Sequence, residues 1–255
     1  MMRFMSLAAA AALIGSLAVA PAVAQEHEIS LPKQVWSFSG PFGTFDRAAA
    51  QRGFQVYNEV CSVCHELKHA FYRDLRGIGL SEEQITAIAA SKSIADIGDD
   101  GAPIERPGLP SDHFKSPYAN DLAARAAQNG ALPPDLSMIV KARDGGVDYL
   151  YALLTSYSVA PAKMKMSDGM NYNRVYPGGQ IAMVGPLSEG RVEYADGTPA
   201  SVNQMAKDVA TFLAYVAEPE TEQRKAMGVK IVLFFLLMTG VTYAVKRKVW
   251  ADVDH

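Results

Sequence analysis

The strongest constraint in this chain lies near its end, where residues 226–245 form an apolar run broken only by Lys230. A helix that crosses a bilayer needs about 20 predominantly apolar residues, and a lysine close to one end can extend its ammonium to the interface. Lys246, Arg247 and Lys248 follow at once, with Trp250 just beyond as an interfacial aromatic. A basic cluster beside a span stays on the cytoplasmic side, which predicts that everything before residue 226 lies outside the cytoplasm.

The other end of the chain carries a second apolar block. A single basic residue, Arg3, opens an Ala/Leu/Val-rich stretch that closes at Ala22-Val23-Ala24 before Gln25. A short apolar core with a small-x-small site reads as a secretory signal removed after Ala24. The expected organisation is therefore a cleavable signal peptide over 1–24, an exported domain over 25–225, a transmembrane helix over 226–245 and a cytoplasmic tail over 246–255. The whole chain has 255 residues and a formal net charge of -3, so the exported part forms one mildly acidic domain. No nucleic-acid partner is expected.

An oxidising compartment would suit a disulfide, yet the two cysteines of the chain, Cys61 and Cys64, stand three residues apart with His65 directly after them. Cys-x-x-Cys-His is the signature of covalent haem attachment. Two thiols add across the two vinyl groups, and the next residue supplies an imidazole beneath the iron. A thioredoxin-like redox pair would need a βαβ setting, which the surrounding pattern lacks. A structural zinc site would need four ligands, and His27, His69, His113 and His255 form no second ligand pair at suitable spacing.

The sixth ligand of such an iron decides its use, because methionine suits electron transfer and an open position suits gas or peroxide chemistry. Of 11 methionines, Met5 leaves with the signal, and Met227 and Met238 lie in the apolar run. Met138 and Met205 read as helix core, and Met164, Met166 and Met170 lie in a polar, charged stretch. Met183 sits in an apolar loop bracketed by Gly178-Gly179 and Gly185-Pro186, and such a loop can lay its backbone close to a flat ring. The pattern favours Met183.

The rest reads as helices joined by long loops. Apolar spacing predicts a helix leading into the motif through Phe54 and Tyr57, a helix over 81–91, a short one over 136–142 capped by Asp135, and another over 148–156. A further helix starts near Ser201 and carries Met205, Val209, Phe212, Leu213 and Val216 on one face. Asp96, Asp99, Asp100 and Glu105 cluster in an irregular Gly/Pro/Asp-rich stretch, where solvated loop and docking patch for a basic partner are the two readings. No phosphate-cradling motif or nucleophile–base constellation is present, so no catalytic site of the chain's own is expected.

These parts resemble the cytochrome c1 family, the haem subunits of the ubiquinol–cytochrome c oxidoreductase (cytochrome bc1) complex. The resemblance rests on Phe54-Gln55-Val56-Tyr57 before Cys61-x-x-Cys64-His65, Asn129-Gly130-Ala131-Leu132-Pro133-Pro134-Asp135-Leu136-Ser137, and Ala142-Arg143 with Gly145-Gly146 and Asp148-Tyr149. It continues through Tyr176-Pro177-Gly178-Gly179-Gln180-Ile181-Ala182-Met183, Glu193-Tyr194-Ala195-Asp196-Gly197-Thr198-Pro199-Ala200, Ala217-Glu218-Pro219-Glu220 and Arg224-Lys225-x-Met227-Gly228.

The family implies a mostly α, class I c-type cytochrome domain with long loops on a single C-terminal transmembrane helix. It implies one covalent haem c on Cys61 and Cys64, with His65 and Met183 as axial iron ligands. Arg143 and Tyr149 would approach the propionates, and Pro133 and Pro134 would line the haem edge. The implied partners are cytochrome b, a Rieske iron–sulfur protein as donor and a cytochrome c as acceptor, in a dimeric complex of a cell inner membrane with the haem domain in the periplasm. Two features depart from the family. Val184-Gly185-Pro186 replaces a run of prolines after Met183, and an insertion with a cysteine pair found in some bacterial relatives is absent, so packing must brace the loop.

Overall fold

The computed structural model describes residues 31–253, so the expected signal peptide, His27 and the last two residues lie outside it. The described chain is mostly helical, with two small antiparallel sheets.

Two helices build the centre. Helix α1 (Arg47–Glu59) starts where the Asp46 carboxylate accepts the Ala49 amide at 3.0 Å, an N-cap that satisfies an otherwise orphaned donor. Helix α5 (Val202–Ala217) is capped by Ser201 in the same manner. Its expected face is present, since Met205, Val209, Phe212 and Leu213 are all buried. However, Ala206, Asp208, Ala210, Ala214 and Tyr215 are buried too, so α5 is a central helix with partners on most sides rather than an amphipathic surface helix.

The two helices pack closely because Gly53 has no side chain. A Cβ there would lie 2.0 Å from the Asp208 carbonyl oxygen. Aromatic rings fill the space around this crossing: Phe114 meets Tyr72 in a tilted pair at 4.6 Å, and Phe54 meets Phe212 at 5.6 Å and Tyr57 meets Phe114 at 5.9 Å, both edge-on. Edge-to-face pairs of this kind are favoured by the ring quadrupole.

Helix α2 (Glu82–Ala90) matches the predicted 81–91 helix and begins in a capping box of Ser81 and Gln84. Helix α3 (Asp121–Ala127) follows, and α4 (Gly146–Thr155) matches the predicted 148–156 helix. The predicted 136–142 helix does not form. The Leu136 amide donates to the Glu66 carbonyl at 2.9 Å and the Asp135 carboxylate takes the amides of Lys68 and Ser137, while the amides of Ile139 and Lys141 bond three residues back, to Leu136 and Met138, in a run of turns. Gly145 and Gly146, which follow that segment, hold φ of 82° and 53° and start α4.

The acidic stretch is also more regular than expected. Strands β1 (Ser93–Ile97) and β2 (Pro103–Pro107) pair antiparallel, with Asp96 opposite Ile104 and Ala95 opposite Glu105. Arg106 joins the Asp96 and Asp112 carboxylates across this hairpin. A second, two-residue pair, β3 (Asn171–Tyr172) and β4 (Gln180–Ile181), lies just before Met183.

Helix α6 (Thr221–Val249) is one continuous helix of 29 residues. It takes in the charged segment before the apolar run, and its apolar stretch buries nothing against the domain. Such a helix is long and apolar enough to cross a bilayer. Lys246, Arg247 and Lys248 occupy its last turn, where cations also complement the helix dipole.

Candidate haem site

The site begins where α1 ends. The helix closes at Val60, and a 3₁₀ turn over Cys61–Val63 follows. The amides of Cys64 and His65 both donate to the Cys61 carbonyl, at 3.1 and 2.8 Å. That double contact folds the motif onto itself and presents two sulfurs and one imidazole from a single turn. The hydroxyl of the buried Tyr57 donates to the His65 carbonyl at 3.3 Å and fixes the exit of the turn. Burial pushes that phenol well above its ordinary value, so it remains a donor.

His65 Nδ1 lies 2.8 Å from the Pro134 carbonyl oxygen. A carbonyl can only accept, so Nδ1 carries the proton and Nε2 keeps its lone pair. Burial lowers the imidazole pKa, with the Pro134 contact acting in the opposite direction, which keeps the ring neutral and able to bind a metal.

Pro134 is held in place by a zipper between two segments. The Leu136 amide donates to Glu66 O at 2.9 Å, the Lys68 amide donates to Asp135 at 3.2 Å, and the His69 amide donates to Ser137 Oγ at 3.1 Å. The chain reaches this zipper from α3 through a left-handed pair, Asn129 and Gly130, at φ of 50° and 90°. Asparagine and glycine are the residues that tolerate that region.

The cysteines are unlike a redox pair. Burial pushes the Cys61 thiol up to about 12, with Cys64 adding to the shift. A reactive exchange cysteine needs the opposite shift. Gln128 Nε2 reaches Cys64 Sγ at 3.5 Å and the Tyr118 hydroxyl at 2.7 Å. Cys64 and Pro133 also line a cleft of about 350 Å³ together with Leu132 and Tyr118. Two thiols and an imidazole of fixed tautomer, within five consecutive residues, are a donor set that fits a covalently attached haem.

Met183 follows β4, and its loop is braced from α4. The Tyr157 hydroxyl donates to the Met183 carbonyl at 3.2 Å, and Gly185 packs against the Tyr157 ring. Asn173 is 0% exposed and anchors the base of the loop. Its Nδ2 donates to Leu153 O at 2.7 Å, while its Oδ1 accepts the amides of Val175 and Tyr176 at 3.0 and 3.2 Å. Sequence reasoning singled out neither Asn173 nor Tyr157. Both brace the Met183 loop through hydrogen bonds to its backbone or base.

Tyr149 is buried on α4, and Arg143 stands near enough for its charge to oppose the upward shift that burial gives the phenol. Arg143 itself is exposed and bonds the Ala142 carbonyl at 2.9 Å. The neighbouring Asp148 accepts Trp36 Nε1 at 2.7 Å and the Gln34 amide at 3.0 Å, which fixes the start of α4 to the N-terminal segment. Thus His65 meets Pro134, Pro133 shares a cleft with Cys64, and Arg143 neighbours Tyr149. Among the described residues, no hydrogen bond joins Met183 to the motif.

A mostly helical domain with this donor set and, among the described residues, one helix long and apolar enough to cross a bilayer fits the class of membrane-anchored c-type cytochromes. The Cytochrome C1 family model matches residues 36–253, and the chain belongs to that family. It is 47% identical to the mitochondrial cytochrome c1 haem protein of Saccharomyces cerevisiae, over 93% of this chain and 78% of that one. It is 44% identical to cytochrome c1 of Rhodospirillum rubrum, over 92% of each chain. It is 45% identical to the mitochondrial cytochrome b-c1 complex catalytic subunit of Candida albicans, over 91% of this chain and 81% of that one.

Proposed function

We propose that this chain is the haem c subunit of a cytochrome bc1 complex, taking electrons from an iron–sulfur protein and handing them to a cytochrome c. The haem would supply a one-electron iron centre, with Cys61 and Cys64 holding it covalently and His65 and Met183 as the residues that would ligate the iron. The observation that carries this reading is the Pro134 carbonyl at 2.8 Å from His65 Nδ1. A metal-ligating histidine donates its other N–H to a carbonyl or carboxylate, which sets the tautomer and the ring orientation.

The other residues take supporting roles. Arg143 offers a fixed positive charge for a propionate, and Tyr149 a hydroxyl beside it. Pro133 and Pro134 form a stiff wall at the haem edge. Tyr157 and Asn173 hold the Met183 loop so that the thioether stays in reach, and a methionine ligand raises the potential into the range of an electron carrier. The domain limits follow the sequence: a signal over 1–24, the periplasmic haem domain over 25–225, the span over 226–245 in the inner membrane, and a cytoplasmic tail over 246–255. The name of the Candida relative supports assembly with cytochrome b. The complex would be dimeric.

The test is Met183→Leu in the full chain in its membrane. The methionine-to-iron charge-transfer band should vanish and the midpoint potential should fall sharply, whereas Met164→Leu and Met166→Leu should leave both unchanged. An unaltered band in Met183→Leu would refute the ligand assignment. Purification from native membrane should bring down a b-type haem subunit and an iron–sulfur protein, and their absence would refute the assembly.

A further inference from the structure

The segment between Trp36 and α1 has no part in the haem reading, yet it is tied to the membrane helix with unusual care. Lys225 Nζ, on α6, donates to the Phe38 carbonyl and to the Gly43 carbonyl, the latter at 3.1 Å. One turn earlier on the helix, Glu222 accepts the Phe45 amide and the Arg47 guanidinium, both at 2.7 Å. The turn over residues 38–43 is thereby fixed in height against α6. Lys225 is the last residue before the apolar run begins at Ala226. At 1.5 Å rise per residue, and with side chains tilted toward the helix start, the turn sits within a few ångströms of the plane where hydrocarbon begins.

The rings in this segment divide sharply. Trp36 and Phe45 are buried, and Phe38 stacks between them at 5.7 and 4.8 Å. Phe42, at the tip between Pro41 and Gly43, is 80% exposed. Gly40, at φ 74°, sets the reversal that presents it. An isolated aromatic on a rigid turn offers far less area than the roughly 1,000 Å² a stable protein interface requires. It does suit the headgroup–acyl boundary, where apolar side chains beside a membrane helix are accommodated.

We propose that Phe42 inserts into the interfacial layer of the bilayer, giving the haem domain a second contact with lipid beside α6. The occupant is phospholipid, and the turn is a lipid-surface contact built by the Lys225 tether.

The experiment places photoreactive p-benzoylphenylalanine at position 42 of the full chain in native membranes, with a matched probe at Phe235 in the middle of α6. Irradiation at 42 should add the mass of one phospholipid to the chain, as it should at 235. An adduct between position 42 and a polypeptide overturns the proposal, and so does a lipid adduct at 235 with none at 42. Lipid adducts at neither position would overturn the membrane span itself, and the turn proposal with it.

Discussion

His65 Nδ1 and the Pro134 carbonyl oxygen stand 2.8 Å apart, and this contact orients the one imidazole of the attachment motif. The acceptor belongs to the backbone, so it survives a change of side chain. Pro134→Ala keeps the oxygen but frees φ in the unfolded chain, which costs about 0.4–1 kcal/mol. Tm should fall by roughly 1–4 °C with the haem spectrum unchanged. A changed spectrum at unchanged Tm would show that the proline ring, rather than the carbonyl, governs the site.

Arg52 and Asp208 make the buried ion pair of the helix crossing. The Asp208 side chain is 1% exposed and Arg52 16%, and the guanidinium meets both carboxylate oxygens at 2.9 and 3.1 Å. Gln204 Nε2 also reaches both oxygens at 3.0 Å, and Asp196 takes a further Arg52 N–H at 2.8 Å. Removing one partner strands a buried charge, typically at about 3–5 kcal/mol. Arg52→Leu should therefore lower Tm by on the order of 10 °C. Arg52→Leu with Asp208→Leu should be less damaging than either change alone, and simple additivity of the two would disprove the buried-charge account.

Gly53→Ala reverses an ordinary expectation. Alanine is favoured over glycine inside a helix by about 1 kcal/mol. Here the new methyl would meet the Asp208 carbonyl at 2.0 Å and Phe212 Cβ at 2.8 Å, so α1 and α5 must separate. Overpacking of this kind costs about 1–3 kcal/mol or more. Chemical denaturation should find the variant destabilised; a gain in stability would mean that the crossing yields easily.

The β1–β2 hairpin should respond to acid before the helices do. Its lock is Arg106 on Asp112, at 2.6 and 2.9 Å, and that contact holds the Asp112 carboxyl at about 2, below its ordinary value. A depressed carboxyl stabilises the fold above its unfolded pKa, about 3.9, and that contribution is lost as pH falls through about 2. Protection factors in the hairpin should fall between about pH 4 and 2 while α1 and α5 stay protected, and Asp112→Asn should show the lower protection already at neutral pH. Flat protection across that range would remove Asp112 from the role.

What could be read from the chain alone depended on whether the chemistry is local. Cys61, Cys64 and His65 are contiguous because two thioether bonds and one imidazole must come from one turn, so the motif stands out. Helices α2 and α5 announce themselves through caps and apolar spacing, and α4 through spacing. The Pro134 acceptor carries no side-chain signature, since any residue has a carbonyl. Asn173 and Tyr157 act across 20 and 26 residues of sequence, on Leu153 and Met183, and no periodicity records such contacts. The 136–142 helix was expected because its apolar pattern is real, but the segment closes in three-residue turns, with Ile139 bonding Leu136 and Lys141 bonding Met138. The hairpin escaped notice because Pro103, Pro107 and the aspartates hide its alternation.

The first turn of α6 is gripped on several sides: Glu222 by Phe45 and Arg47, Lys225 by Phe38 and Gly43, and Arg224 by Glu218, which also holds Lys141 at 3.0 Å. A rod clamped at its end transmits torque, so tilting the membrane helix tilts the whole head with it. The height of the site above the bilayer is then a fixed length of the molecule. Under the proposed function, a partner would meet it at one elevation, with no slack in a leash to search through.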